Sequence, residues 1–102
     1  MGGYAFGMSP RPTRVTPHEL CVEWPTTRSD DPVAEIARQF VLNLRDAMGS
    51  RSIREVARET GVDRASIGTV LNGMSWPDTS TLARLELGLK VTLWPAYSDG
   101  PN

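Results

Sequence analysis

The sequence predicts an all-α fold: a bundle of about four helices, joined by a small two-stranded β element from the terminal segments. Three observations carry this. Between residues 33 and 89, apolar residues recur every three or four positions, as on helices with one buried face. Asp31, Ser52, Asp63 and Asp78 or Thr79 stand where such stretches begin, and Gly49, Gly61 and Gly73 stand where three of them end. Outside these stretches, "HELCVEW" and "KVTLW" alternate with period two instead, as half-buried strands do.

Residues 1–31 read as an N-terminal arm. Pro10, Pro12, Pro17, Pro25 and, just beyond, Pro32 crowd this region, and Gly2, Gly3 and Gly7 add freedom, so "MGGYAFGMSPRPTRVTP" reads as disordered. Leu20, Val22 and Trp24 then alternate with Glu19, Cys21 and Glu23, which predicts a strand at 19–24. The first helix starts at Asp31-Pro32, an N-cap followed by proline where a missing N–H does no harm. Its apolar series is Val33, Ile36, Ala37, Phe40, Leu44, Ala47 and Met48. Ser52 and Glu55 form the spacing of a capping box and open the second helix, with Ile53, Val56 and Ala57 inward. Asp63 caps a third, with Ile67, Val70 and Leu71 inward. The fourth carries Leu82, Leu85 and Leu89. The middle helices are too short to hold alone in water and must pack on one another. Val91 and Leu93 read as a closing strand, pairing with 19–24 within one chain or between two, and residues 95–102 as a flexible tail.

Composition narrows the function. The chain has 102 residues, 39% hydrophobic and 23% charged, which suits one soluble domain with a modest core. No apolar run is long enough to span a bilayer, and no signal-peptide pattern opens the chain. The single cysteine, Cys21, cannot form an internal disulfide and fits a reducing cytoplasm. His18 is the only histidine, so a zinc site or a histidine-based triad lacks material. There is no glycine-rich phosphate loop and no sign of a buried carboxylate pair. An enzyme, a metal and a cofactor are therefore not expected. Net charge is −1, so any polyanion must be held by a local patch.

The informative stretch is "SIREVARETGVDRASIGTVLNG", residues 52–73: two short helices joined by a tight turn. Gly61 suits a left-handed turn residue, Val62 an apolar plug, and Ala57 a close approach of the helices. The third helix is then held across the second, with Arg64, Ala65, Ser66, Gly68, Thr69 and Asn72 outward. That face is small and polar, as entry into a major groove requires. Val56, Ala57, Gly61, Val62, Ile67, Val70 and the following "NGMSWPDTSTLARL" resemble the helix-turn-helix of the Cro and phage-repressor family, also called the xenobiotic-response-element family. The resemblance covers about residues 33–94 and implies a lambda-repressor-like bundle, with the DNA-binding domain at 32–94. Thr60 stands where that family commonly has a larger apolar residue, and Ile53 where it often has glutamine.

The resemblance implies a sequence-specific DNA-binding regulator, a repressor of phage, mobile-element or autoregulatory type, that reads the major groove with helix 64–72. Arg64 would address a base edge through its forked guanidinium and Ala65 a thymine methyl. Ser66 and Thr69 would meet base edges or phosphate, and Gly68 would let the backbone come close. Arg51, Ser52, Arg54 and Asn72 would hold phosphates. The implied partner is double-stranded DNA, bound as a homodimer in the cytoplasm, associated with the nucleoid. The alternative is a protein-interaction module, antitoxin-like or partner-binding, that kept the fold and binds DNA weakly or not at all. Plainer readings stand beside these: Arg54 and Arg58 can simply pair with Glu55 or Glu59, and Trp24, Trp76 and Trp94 can be structural.

Overall fold

The computed structural model describes residues 15–95; nearly all of the expected tail at 95–102 and residues 1–14 of the expected disorder at 1–17 lie outside them, while Thr16 and Pro17 are held in place, Thr16 by bonds with Glu19 and Pro17 by burial. Four helices follow one another: α1 (Pro32–Met48), α2 (Ile53–Thr60), α3 (Arg64–Leu71) and α4 (Thr79–Leu89). Each starts at the residue the sequence marks. Asp31 accepts from the Ala34 N–H at 2.9 Å, Asp63 from Ser66 at 3.0 Å and Asp78 from Thr81 at 2.7 Å. Ser52 and Glu55 form the full reciprocal capping box, at 3.1 and 2.8 Å. These bonds fill N–H groups that a helix start leaves empty. Positive φ at Gly49 and Gly61 turns the chain out of α1 and α2.

Phe40, Val41 and Leu44 of α1 form the centre of the core with Val56, Ile67 and Leu85 from the other helices. Val62 plugs the α2–α3 turn and is 5% exposed. Val33, expected inward, is exposed instead, while its neighbours Ala34 and Glu35 are buried. α2 and α4 meet backbone to backbone. A Cβ placed on Gly88 would lie 2.7 Å from Thr60 Cα and 2.8 Å from the Glu59 carbonyl oxygen. Thr60 fits there because its hydroxyl is satisfied locally: Oγ1 donates to the Val56 carbonyl at 2.8 Å and accepts from the Val62 N–H at 3.2 Å.

The two-stranded β element is absent among the described residues. Residues 19–24 do not form a strand. His18–Leu20 is a single 3-10 turn, opened by a second reciprocal cap in which Thr16 and Glu19 exchange bonds at 3.2 Å. Cys21 is buried and Val22 is 88% exposed, the reverse of the expected faces. The Cys21 thiol donates to the Thr27 carbonyl at 2.8 Å and holds the segment in a fold-back. At the other end, Leu93 is buried but Val91 is exposed, so they do not share a face. The N–H groups of Leu93 and Trp94 donate to the Glu86 carboxylate at 2.8 and 3.0 Å, and Asn43 donates to the Leu93 carbonyl at 2.8 Å. Side chains thus satisfy the backbone groups that a partner strand would have satisfied. The expected pairing of these strands, within a chain or between two, falls with them.

Residues 15–31 instead form an irregular strap across the bundle. Its near end is fixed to α1 through Glu35, which is 7% exposed yet receives four donors. They are the Ser29 N–H at 2.8 Å, Arg38 Nε and Nη2 at 2.9 and 2.7 Å, and Gln39 Nε2 at 3.0 Å. The Arg38 bonds above all, against the opposing effect of burial, bring the Glu35 pKa down to about 2. Arg38 Nη1 also donates to the Pro25 carbonyl at 3.0 Å.

Candidate nucleic-acid interface

Sequence dictates which way α3 faces. Ile67, Val70 and Leu71 are buried, so the rest of the helix must look outward. Arg64, Ala65, Thr69 and Asn72 are exposed, and Ser66 and Gly68 are half-exposed. All six expected residues therefore lie on or beside one open face. A Cβ on Gly68 would meet nothing within 4 Å, so the glycine is not required by the fold.

The polar groups on this face are partly committed. The Ser66 hydroxyl donates to Asp63 Oδ1 at 2.7 Å. Thr69 Oγ1 donates to the Ser66 carbonyl at 3.1 Å and accepts from the Ser75 hydroxyl at 3.2 Å, which ties the loop after α3 to the face. Arg64 makes no ion pair or side-chain hydrogen bond with the described residues and keeps its full set of donors.

Two clefts flank α3. One, of about 520 Å³, runs along the α2–α3 turn and brings together Arg54, Arg58 and Arg64, with Asp63 as the only acid lining it. The other, of about 420 Å³, lies where the end of α1 and the start of α2 meet α3, and Arg45, Arg51, Gly68 and Asn72 line it. Arg45 is not singled out in the sequence, and Arg58 is read there only as a partner for Glu55 or Glu59. Arg58 was visible as one of four arginines in residues 51–64, but only the folded turn aligns it with Arg54 and Arg64. Nothing local in the sequence marks Arg45, because its neighbours in the cleft come from α2 and α3.

Arg51 is differently placed. Its guanidinium donates to the Ala47 and Met48 carbonyls, at 2.7 and 3.3 Å, and to the Glu59 carboxylate. It closes the free carbonyl end of α1, a position that suits a cation. Ser52 uses its hydroxyl in the capping box, while Arg54 is exposed and has no such partner among the described residues. The caps also set local charge. Hydrogen bonds from Ser52 hold the Glu55 carboxyl below its ordinary pKa, and those from Ser66 do the same for Asp63. Both stay ionised beside the helix starts and temper the arginines' field.

No group of three or more metal-ligating side chains comes together among the described residues, and no helix there is long and apolar enough to cross a membrane. No curated protein and no solved structure matches the chain. The family model for helix-turn-helix proteins matches residues 43–93, half of the sequence, from the second half of α1 to Leu93. With two short helices joined at Gly61, a buried Val62 plug and an open α3 face all inside that match, the chain belongs to the helix-turn-helix family of DNA-binding regulators of the Cro and phage-repressor (xenobiotic-response-element) type.

Proposed function

We propose that this regulator binds double-stranded DNA sequence-specifically, as a cytoplasmic, nucleoid-associated repressor of phage, mobile-element or autoregulatory type. The observation that carries the reading is the open face of α3: one uncommitted arginine among side chains no longer than threonine and asparagine. A helix so trimmed can lie deep in a major groove. Arg64 then forks onto a guanine edge, Ala65 meets a thymine methyl, and Ser66 and Thr69 complete the base contacts beside Gly68. Arg54 and Asn72 take phosphates, joined by Arg45 and Arg58 from the two clefts. Ser52 shapes the start of α2, and Arg51 holds that start against α1 while its own charge is shared with Glu59.

The local positive excess is small, so one copy binds random DNA weakly. A two-fold homodimer reading half-sites about one helical turn apart makes up the difference. DNA geometry alone supports the dimer, since among the described residues no strand is present to join two copies. Selection from a random duplex library, followed by titration at low and moderate salt, tests the reading. Arg64→Ala is expected to weaken the selected site by about 1–3 kcal/mol and relax preference at one base pair. Equal binding of selected and random duplexes by the parent would instead favour a protein-binding module, which the exposed Val22 and Leu87 would serve.

A further inference from the structure

The last four carbonyls of a helix have no partner within it. In α3 three of them are met by the turn that follows. Asn72 N–H donates to Gly68 at 3.0 Å, Met74 to Thr69 at 2.9 Å and Gly73 to Val70 at 3.0 Å. The fourth, on Leu71, is met from 47 residues away: Trp24 Nε1 donates to it at 2.9 Å. The same indole covers Gly73 so closely that a Cβ there would lie 2.6 Å from the ring. Two further bonds fasten the strap to this turn and the loop beyond it. His18 N–H donates to the Gly73 carbonyl at 2.9 Å, and Trp76 Nε1 to the Val15 carbonyl at 2.9 Å. Behind Trp24, Arg38 holds the Pro25 carbonyl and is itself held by Glu35. The strap therefore runs as a continuous link from α1 to the end of α3. It lies wholly outside the residues that match the family, 43–93.

We propose that Trp24 is a positioning residue for DNA readout: by completing the end of α3 and clamping Gly73, it fixes where Asn72 and the loop carrying Ser75 stand relative to the base-reading face. The proposal rests on the DNA-binding reading given above. Thr69 shows the connection, since its hydroxyl accepts from Ser75 in that same loop. With the Leu71 carbonyl unpartnered, the last turn of α3 is free to fray, and the phosphate contact at Asn72 loses its register with Arg64.

Trp24→Phe tests this, because it keeps an aromatic side chain beside Gly73 while removing the N–H donor together with the pyrrole half of the indole. Its affinity for the selected duplex is expected to fall about tenfold, while affinity for random duplex stays within about twofold. Hydrogen exchange is expected to quicken at the amides of Asn72, Gly73 and Met74 and not at those of α2. Val41→Ala, a core change in α1, serves as the comparison for simple loss of stability. If Trp24→Phe lowers the melting temperature as Val41→Ala does and leaves site preference unchanged, Trp24 only stabilises and the proposal is overturned. Unchanged exchange at 72–74 overturns it equally. A parent protein with no preferred duplex refutes the DNA reading, and the proposed role in readout with it. Exchange still reports whether Trp24 fixes the end of α3.

Discussion

The helix-turn-helix at 52–73 and the strap at 15–31 are held by opposite means. The first is regular and is stabilised by burial: Val56, Val62, Ile67 and Val70 are at most 5% exposed, and its caps are made within three residues. The second has one 3-10 turn, buries little beyond Cys21, Pro17 and Ser29, and is fixed by side-chain bonds to distant backbone. Packing sets the direction of α3, while Trp24 of the strap completes its end by meeting the Leu71 carbonyl. The contrast also says what should break each. The first should fail through volume, the second through loss of a donor or a charge.

Volume has the largest expected effect. Gly88→Val pushes a branched side chain into the Thr60 backbone, with no flexible neighbour to yield. A loss of about 3 kcal/mol is expected, read as a lower urea midpoint with an unchanged slope. An unchanged midpoint would mean that α2 is not braced from behind by α4.

Charge comes next. The folded pKa of Glu35 is about 2, against an ordinary 4.5. Because the folded value is the lower one, the carboxylate's contribution is complete above about pH 4.5 and is lost as pH falls towards 2. We expect about 2 kcal/mol of stability to disappear across that window, less than the full shift implies because solvent reaches part of the network. Glu35→Gln should flatten this part of the pH profile relative to the parent; parallel profiles would show that Glu35 is not what fixes the strap to α1.

The same contrast explains what could be read in advance. Helix starts were legible because Asp31, Ser52, Asp63 and Asp78 each act on the N–H group three residues away, and the α3 face was legible because its buried side has period 3.6. The strap was misread because two local signals overlap in "TPHELCVEW". Alternation at 19–24 suggested a strand, but Thr16 and Glu19 have the spacing of a reciprocal cap, and the cap prevails where no partner strand exists. The fate of 90–94 depended on Glu86 and Asn43, whose proximity no window of sequence displays. The family resemblance implies a phosphate contact for Arg51 and says nothing of its place at the end of α1. Its bonds to the end of α1 appear only once Gly49 has turned the chain.

Gly68→Ala separates fold from function within the first region. The position is helical, half-exposed and open, so alanine is expected to raise stability by about 0.5–1 kcal/mol. If the α3 backbone approaches DNA at this point, the same substitution should weaken the selected duplex. A variant that is more stable and binds equally well would move the closest approach elsewhere on the helix.

The smallest expected effect is at Val22, and it bears on the strap alone. Were residues 19–24 a half-buried strand, Val22 would be a core-facing residue, and a carboxylate there would be severely destabilising. In the structure its side chain is 88% exposed, next to the buried Cys21, whose thiol bond to Thr27 sets which way the segment turns. Val22→Asp is therefore expected to change stability by less than about 0.5 kcal/mol, as surface substitutions do. Cys21→Ser keeps a donor for the Thr27 carbonyl and should leave that insensitivity intact, whereas Cys21→Ala should loosen the fold-back and quicken exchange at the Thr27 amide, which bonds to the Glu23 carbonyl at 2.9 Å. A large loss of stability in Val22→Asp would return residue 22 to the core and reinstate the alternating strand in place of the turn.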